Sequence, residues 1–158
     1  FNMMDIQAAL GIHQLPRLDA WIDRRDELWD RYDDLLEGLP VETPPSPEDD
    51  MRHARHLYQV LVAPDAGISR DELLDRLTAS GIGTGVHYRA VHLHPYYRKR
   101  LEIGPDSLPV ATDISNRTLS LPLSPGVTEE DQSDVAEAVG QALATRQVTR
   151  RSQPTAGR

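Results

Sequence analysis

The chain has 158 residues, of which 39% are hydrophobic and 27% are charged, and its formal net charge is −8. This length and composition fit one globular domain of ordinary size, and no run approaches the roughly 20 apolar residues that a transmembrane helix needs. The negative charge argues against a nucleic-acid surface, which requires Lys and Arg clustered on one face.

Two residue types limit the possible chemistry. The sequence contains no cysteine, which excludes disulfides, thiolate catalysis and cysteine zinc sites and is compatible with the cytoplasm, where we expect the protein. Its single lysine, Lys99, lies in a basic run that favours a solvated turn, whereas a Schiff-base lysine must be desolvated or placed beside other cations in a pocket. The chain starts at Phe1 without a leader sequence, so we expect a segment from the interior of a longer polypeptide.

Residues 3–37 predict a helix in two pieces. Pro16 must kink this helix or start a new one, and beyond it apolar residues recur at steps of three and four until Gly38 ends the pattern. Acidic residues cover the opposite side. The small face made by Ala8 and Ala9 predicts that the first piece packs tightly against another element.

A connector without regular structure is expected at residues 39–55, which are rich in proline and acidic side chains. Residues 56–62 alternate as a strand does. Ser69 then has Glu72 three residues later, the spacing of a capping box, and predicts a helix that ends at Gly81.

The segment from residue 81 to residue 97 concentrates three histidines and three tyrosines in a chain that is only 5% aromatic. Its first turn contains three glycines, Gly81, Gly83 and Gly85. Glycine permits a positive φ or the close approach of another group. We predict that residues 82–88 form a second strand, in which His87 and Tyr88 point to opposite faces, and that this strand delivers polar groups to a site.

The C-terminal part predicts a short helix at residues 108–118, an extended segment at 119–123 and a last helix that starts after Thr128 with an acidic first turn. The simplest packing of all these elements is an α+β domain, a small antiparallel or mixed sheet covered by helices. We divide the chain into a long helical segment (1–37) that joins a domain outside the chain, the α+β domain (38–145) and a disordered tail (146–158).

Four blocks of sequence, in this order along the chain, resemble the DegT/DnrJ/StrS family of PLP-dependent nucleotide-sugar aminotransferases. They are Phe1–Leu15, Arg24–Arg25, Gly81–His92, and Leu119–Leu123 followed by Thr128–Asp131. The match runs over about nine-tenths of the chain, all but the tail, and four ordered blocks are far more specific than one short motif.

The resemblance implies the C-terminal small domain of a fold-type I aminotransferase. Such enzymes transfer an amine, usually from glutamate, through pyridoxal 5'-phosphate to the keto group of a nucleotide-linked deoxysugar. They act as homodimers whose active site is shared between two subunits. In this family the Schiff-base lysine belongs to the large domain, so we expect this chain alone to be inactive.

The resemblance also implies site residues. Asn2 falls on a segment that reaches the cofactor phosphate of the neighbouring subunit. His87 and Tyr88 fall on a block that borders the sugar-nucleotide pocket, and His92 is a further candidate there. The pair Tyr96–Tyr97 could stack or pack near the nucleotide.

Other interpretations of these residues stay open from the sequence. Asn2 could be the N-cap of the first helix, and the backbone could satisfy His87, Tyr88 and His92. The histidine spacing matches no closed zinc pattern, so we predict no metal site. The alternative function is an interaction or regulatory module without catalysis.

Overall fold

The computed structural model describes residues 2–48 and 50–144. The predicted tail, residues 146–158, therefore lies outside the described residues. The elements in chain order are α1 (Asp5–Gln14), α2 (Leu18–Leu35), β1 (Val41–Glu42), β2 (Tyr58–Val62), α3 (Arg70–Ala79), α4 (Pro95–Leu101), α5 (Pro109–Arg117), β3 (Thr118–Leu121) and α6 (Glu129–Ala144). Short 3-10 turns occur at Leu15–Arg17, Val91–Leu93 and Pro105–Ser107.

The N-terminal helix is in two pieces, as predicted. Pro16 lies in the 3-10 turn between α1 and α2, where its missing N–H and its ring interrupt the hydrogen-bond ladder. No residue of α1 is buried. The apolar side of α2 instead joins the core through its second half, where Leu28, Trp29 and Tyr32 are buried.

The sheet has three antiparallel strands in the order β1-β2-β3. Alternation along β2 divides the sheet into two faces. The inner face packs against α2, α3 and α6 and carries Tyr58, Val60, Val62, Leu119 and Leu121. The outer face carries Gln59, Leu61, Thr118 and Ser120, and Gln59 lies opposite Ser120 in the register of β2 and β3. The predicted α+β class and an antiparallel sheet are therefore confirmed.

The prediction of a strand at residues 82–88 was wrong. Only Gly85 pairs with β3, through hydrogen bonds from Gly85 N to Ser120 O (3.2 Å) and from Ser120 N to Gly85 O (2.8 Å). Two residues later the backbone bends back towards β2, where the Gln59 side chain donates to His87 O. Because the segment turns here, His87 and Tyr88 do not point to opposite faces; their rings meet edge to face with centroids 4.9 Å apart.

Two further regions are more regular than the sequence indicates. The connector at residues 39–55 contains the two-residue strand β1, in which Val41 pairs with Val62. The basic run around Lys99 forms the helix α4 rather than a turn, because Pro95 at its first position has a φ that suits a helix and loses no hydrogen bond there. No helix in residues 2–48 and 50–144 has the length and apolar character needed to cross a membrane.

Candidate functional site

His87 rests on a row of residues that crosses the outer face of the sheet. Gln59 on β2, Ser120 on β3 and Gly85 are neighbours in this row because each pairs with the next. Ser120 Oγ lies 2.9 Å from His87 Nδ1, and the Gln59 amide donates to His87 O. We call these three residues the His87 seat. They hold both the imidazole ring and the backbone of His87.

Gly85 supplies the space that the imidazole ring occupies. A Cβ added at Gly85 would lie 2.6 Å from His87 Cε1, a distance that non-bonded carbon atoms do not tolerate. The φ angle of Gly85 is not in the left-handed region, so glycine is needed here for room rather than for backbone conformation. Of the three glycines in this turn, only Gly81 has a positive φ, of 79°.

A groove of about 380 Å³ lies between the connector and the outer face of the sheet, and His87 and Tyr88 form part of its wall. His87 is half-buried, whereas Tyr88 is 74% exposed. In the part of the chain that the structure describes, His87 Nε2 has no hydrogen-bond partner, and neither does the Tyr88 hydroxyl. Glu42, the acid in this wall, is paired with Arg117. The groove thus offers an imidazole and a phenol group beside a carboxylate that is paired with an arginine.

His92 does not join His87 and Tyr88 in the groove. It is 4% exposed, and its Nε2 lies 2.9 Å from Thr112 Oγ1. The Thr112 hydroxyl donates its hydrogen to Pro105 O at 2.7 Å, so the contact with His92 requires Nε2–H as the donor. Within the chain, His92 therefore links the 3-10 turn at Val91–Leu93 to α5 through a hydrogen bond. Its predicted contact with substrate stays a prediction.

Asn2 precedes α1 and is exposed to solvent. The N-cap of α1 is Met4, not Asn2, and the Met4 amide donates to Gln7 Oε1 at 3.1 Å. No hydrogen bond joins the Asn2 side chain to another described residue, so the structure does not show the capping role. Asn2 also lies outside the groove.

The remaining candidates lie on α4. Tyr96 and Tyr97 meet edge to face with centroids 5.1 Å apart, and they are 65% and 42% exposed. Lys99 is exposed on the same helix. Among the described residues, no group of three or more histidine, cysteine or acidic side chains could hold a metal ion.

Gln59 and Ser120 were missed by the sequence analysis. The sequence offers one indication of Ser120, which is a polar residue between two leucines. In the structure, all four residues of its short strand β3 are buried. A buried hydroxyl needs a partner. The sequence alone does not identify that partner, since His87 is 33 residues away along the chain.

Two solved structures cover most of this chain. The structure resembles the sugar aminotransferase Spr1654 of Streptococcus pneumoniae in its PLP form, with a TM-score of 0.81 and 28% identity over 90% of this chain and 36% of that one. It also resembles DesV of S. venezuelae in complex with a ketimine intermediate, with a TM-score of 0.75 and 35% identity over 88% of this chain and 36% of that one. The described residues have the fold of about a third of a fold-type I sugar aminotransferase.

The family follows from the sequence match. The model of the DegT/DnrJ/EryC1/StrS aminotransferase family matches residues 1–140, and the chain belongs to this family. The spore coat polysaccharide biosynthesis protein SpsC of Bacillus subtilis (strain 168) is 45% identical over 140 residues, which are 87% of this chain and 36% of SpsC. The chain thus spans little more than a third of the length of these relatives.

Proposed function

We propose that this chain is the C-terminal part of a PLP-dependent aminotransferase that transfers an amine from glutamate to the keto group of a nucleotide-linked deoxysugar. The family match over residues 1–140 carries the proposal. A groove whose wall contains His87 and Tyr88 supports it, because these side chains lie on the sequence block that borders the substrate pocket in this family. We further propose that the enzyme is a cytoplasmic homodimer whose active sites combine residues of both subunits.

Lys99 does not have the surroundings that a Schiff-base lysine needs. Lys99, the only lysine in the chain, is exposed to solvent on α4 rather than placed in a pocket that would desolvate its amine. Bound PLP supplies an electron sink for the carbanion chemistry of amine transfer. We therefore propose that the lysine that holds PLP lies in a part of the protein outside this chain.

Asn2 is proposed as a donor to the phosphate of the cofactor in the neighbouring subunit. Its amide is exposed and makes no hydrogen bond to the described residues, so its two N–H donors are available. Apolar side chains at the N-cap of α1 and along this helix are also exposed; they include Met4, Ile6 and Leu10, which are 58–68% exposed. Burial of this surface against another subunit would bring Asn2 to the cofactor phosphate of that subunit.

The groove is proposed as the place where the sugar nucleotide binds. His87 and Tyr88 offer hydrogen bonds to sugar hydroxyls or diphosphate oxygens without the desolvation cost of a buried charge. His92 belongs to the proposal as a further substrate residue. His92 Nε2–H donates to Thr112 Oγ1, so this hydrogen bond would have to break before that nitrogen could contact the substrate.

The experiment uses the complete polypeptide that contains this chain. After addition of PLP, we expect the absorbance band of cofactor linked to a lysine. Incubation with ¹⁵N-glutamate and a panel of nucleotide-linked keto sugars should then give one ¹⁵N-labelled amino sugar, detected by mass spectrometry. A complete polypeptide that never binds PLP would contradict the proposal and favour the alternative, an interaction module without catalysis.

A further inference from the structure

We propose that Ser120 fixes His87 as the tautomer that carries its proton on Nε2, so that His87 presents a single N–H donor to an oxygen atom of the ligand in the groove. The identity of that ligand, a nucleotide-linked sugar, rests on the proposed function. The tautomer does not, because it follows from the contacts of the His87 seat alone.

The burial of Ser120 decides which atom donates. Ser120 is 4% exposed, and His87 Nδ1 at 2.9 Å is the one partner of its hydroxyl among the described residues. If Nδ1 carried the proton and donated, the hydroxyl hydrogen would remain buried without an acceptor, which is unfavourable. The serine O–H therefore donates to Nδ1. A neutral imidazole that accepts at Nδ1 carries its hydrogen on Nε2.

The seat also fixes the direction of the ring. Gln59 holds the carbonyl of His87, and Gly85 lies against the ring with no side chain between them. On another side the edge of Tyr88 meets the ring at an interplanar angle of 84°. With Nδ1 held by Ser120, the ring has no second orientation that keeps these contacts. Nε2 is left as the ring nitrogen without a partner in the described structure.

A fixed N–H donor suits the proposed ligand. Diphosphate oxygens accept hydrogen bonds only, and sugar hydroxyls can accept them, so either complements Nε2–H. The opposite tautomer would present a lone pair to a phosphate oxygen, which is repulsive. Ser120 is thus a positioning residue that does not contact the ligand. It determines which kind of group His87 can bind.

The first test is neutron diffraction from deuterium-exchanged crystals of the complete protein at a pH at which the ring is neutral. We expect deuterium on His87 Nε2 and a Ser120 hydroxyl deuterium directed at Nδ1. Deuterium on Nδ1 would overturn the inference. This result does not depend on activity, so it decides the tautomer even if the complete protein transfers no amine and the proposed function fails.

The second test is kinetic and uses Ser120→Ala with Ser133→Ala as the matched control. Ser133 lies on α6, where its hydroxyl donates to Glu129 O and accepts from Arg31 Nη2, and it does not line the groove. In Ser120→Ala we expect the KM for the nucleotide-linked sugar to rise about tenfold, the effect of losing one oriented hydrogen bond, while the KM for the amine donor stays unchanged. Ser133→Ala should keep both constants. An unchanged sugar KM in Ser120→Ala would overturn the role of the tautomer in binding.

Discussion

The imidazole ring of His87 lies directly against the backbone of Gly85, two residues earlier in the chain. A single added methyl group at Gly85 would approach Cε1 to 2.6 Å, Nδ1 to 3.3 Å and Nε2 to 3.4 Å. The whole ring is therefore positioned over one Cα. Because the φ angle of Gly85 is not in the left-handed region, the effect of a substitution there can be assigned to the ring.

Gly85→Ala is expected to displace His87 without unfolding the protein. The ring must leave its place beside Ser120, so the KM for the nucleotide-linked sugar should rise about tenfold or more, as expected from the loss of an oriented hydrogen bond. The binding of PLP, measured by absorbance titration, should be unchanged. Gly83→Ala is the matched control, because a Cβ at Gly83 meets no atom within 4 Å. Equal KM values in the two variants would contradict the assignment of His87 to the binding wall.

Asn2→Ala is expected to weaken PLP binding by the complete dimer about 10- to 100-fold, the usual effect of losing a hydrogen bond to a charged group. Asn2→Asp should weaken it further, because a carboxylate repels phosphate. Thermal stability without the cofactor should not change, since Asn2 does not cap α1. A dissociation constant for PLP that is the same in all three proteins would remove Asn2 from the cofactor site.

The exposed apolar side of α1 predicts a contact in the assembled protein. Ile6 and Leu10 are one helical turn apart and are 68% and 58% exposed. The double substitution Ile6→Asp with Leu10→Asp should place two charges in this contact and convert a dimer to monomers in sedimentation analysis. The control is His13→Asp with Gln14→Asp, which adds two acidic residues to α1 at exposed polar positions. A dimer of unchanged stability in the Asp variant would show that this surface has no part in assembly.

The core contains a hydrogen bond to a charged group that is expected to stabilise the domain. Tyr58 is fully buried, and its hydroxyl donates to Asp33 Oδ1 at 2.6 Å. Tyr58→Phe should lower the free energy of unfolding by about 1.5–3 kcal/mol, measured by urea denaturation. Leu36→Val offers a comparison at another buried position, where only packing changes.

The same tyrosine predicts how stability depends on alkaline pH. Burial, then the hydrogen bond and charge of Asp33, raise the pKa of Tyr58 above its ordinary value. A pKa that is higher in the folded state contributes stability at pH values below about 10, the value of the unfolded tyrosine, and this contribution is lost as the pH rises further. The unfolding free energy of the unmodified protein should therefore fall more steeply above pH 10 than that of Tyr58→Phe. Parallel curves would contradict this assignment.

The local elements could be predicted from the sequence because their signals lie within a few residues. Pro16 marks the break between α1 and α2. Ser69 and Glu72 form the predicted capping box of α3, in which Glu72 N donates to Ser69 Oγ at 3.2 Å and Ser69 N donates to Glu72 Oε2 at 3.0 Å. Alternation in residues 56–62 indicated β2 to within two residues at its start.

Long-range contacts determine what could not be predicted. Residues 82–88 were predicted as a strand, but only Gly85 pairs with β3, and two residues later His87 O accepts a hydrogen bond from the Gln59 side chain on β2. The two-residue strand β1 exists only because Val41 lies beside Val62. For the site, the concentration of aromatic residues and the family resemblance pointed to His87 and Tyr88. The three residues of the His87 seat could not be predicted, because they become neighbours only through the pairing register of the sheet.

The most direct test of the account is a crystal structure of the complete protein with PLP and its nucleotide-linked sugar. We expect an oxygen atom of the sugar or the diphosphate within about 2.7–3.2 Å of His87 Nε2, with Ser120 still bonded to Nδ1. A sugar nucleotide bound at another place, with the groove beside His87 and Tyr88 empty, would contradict it.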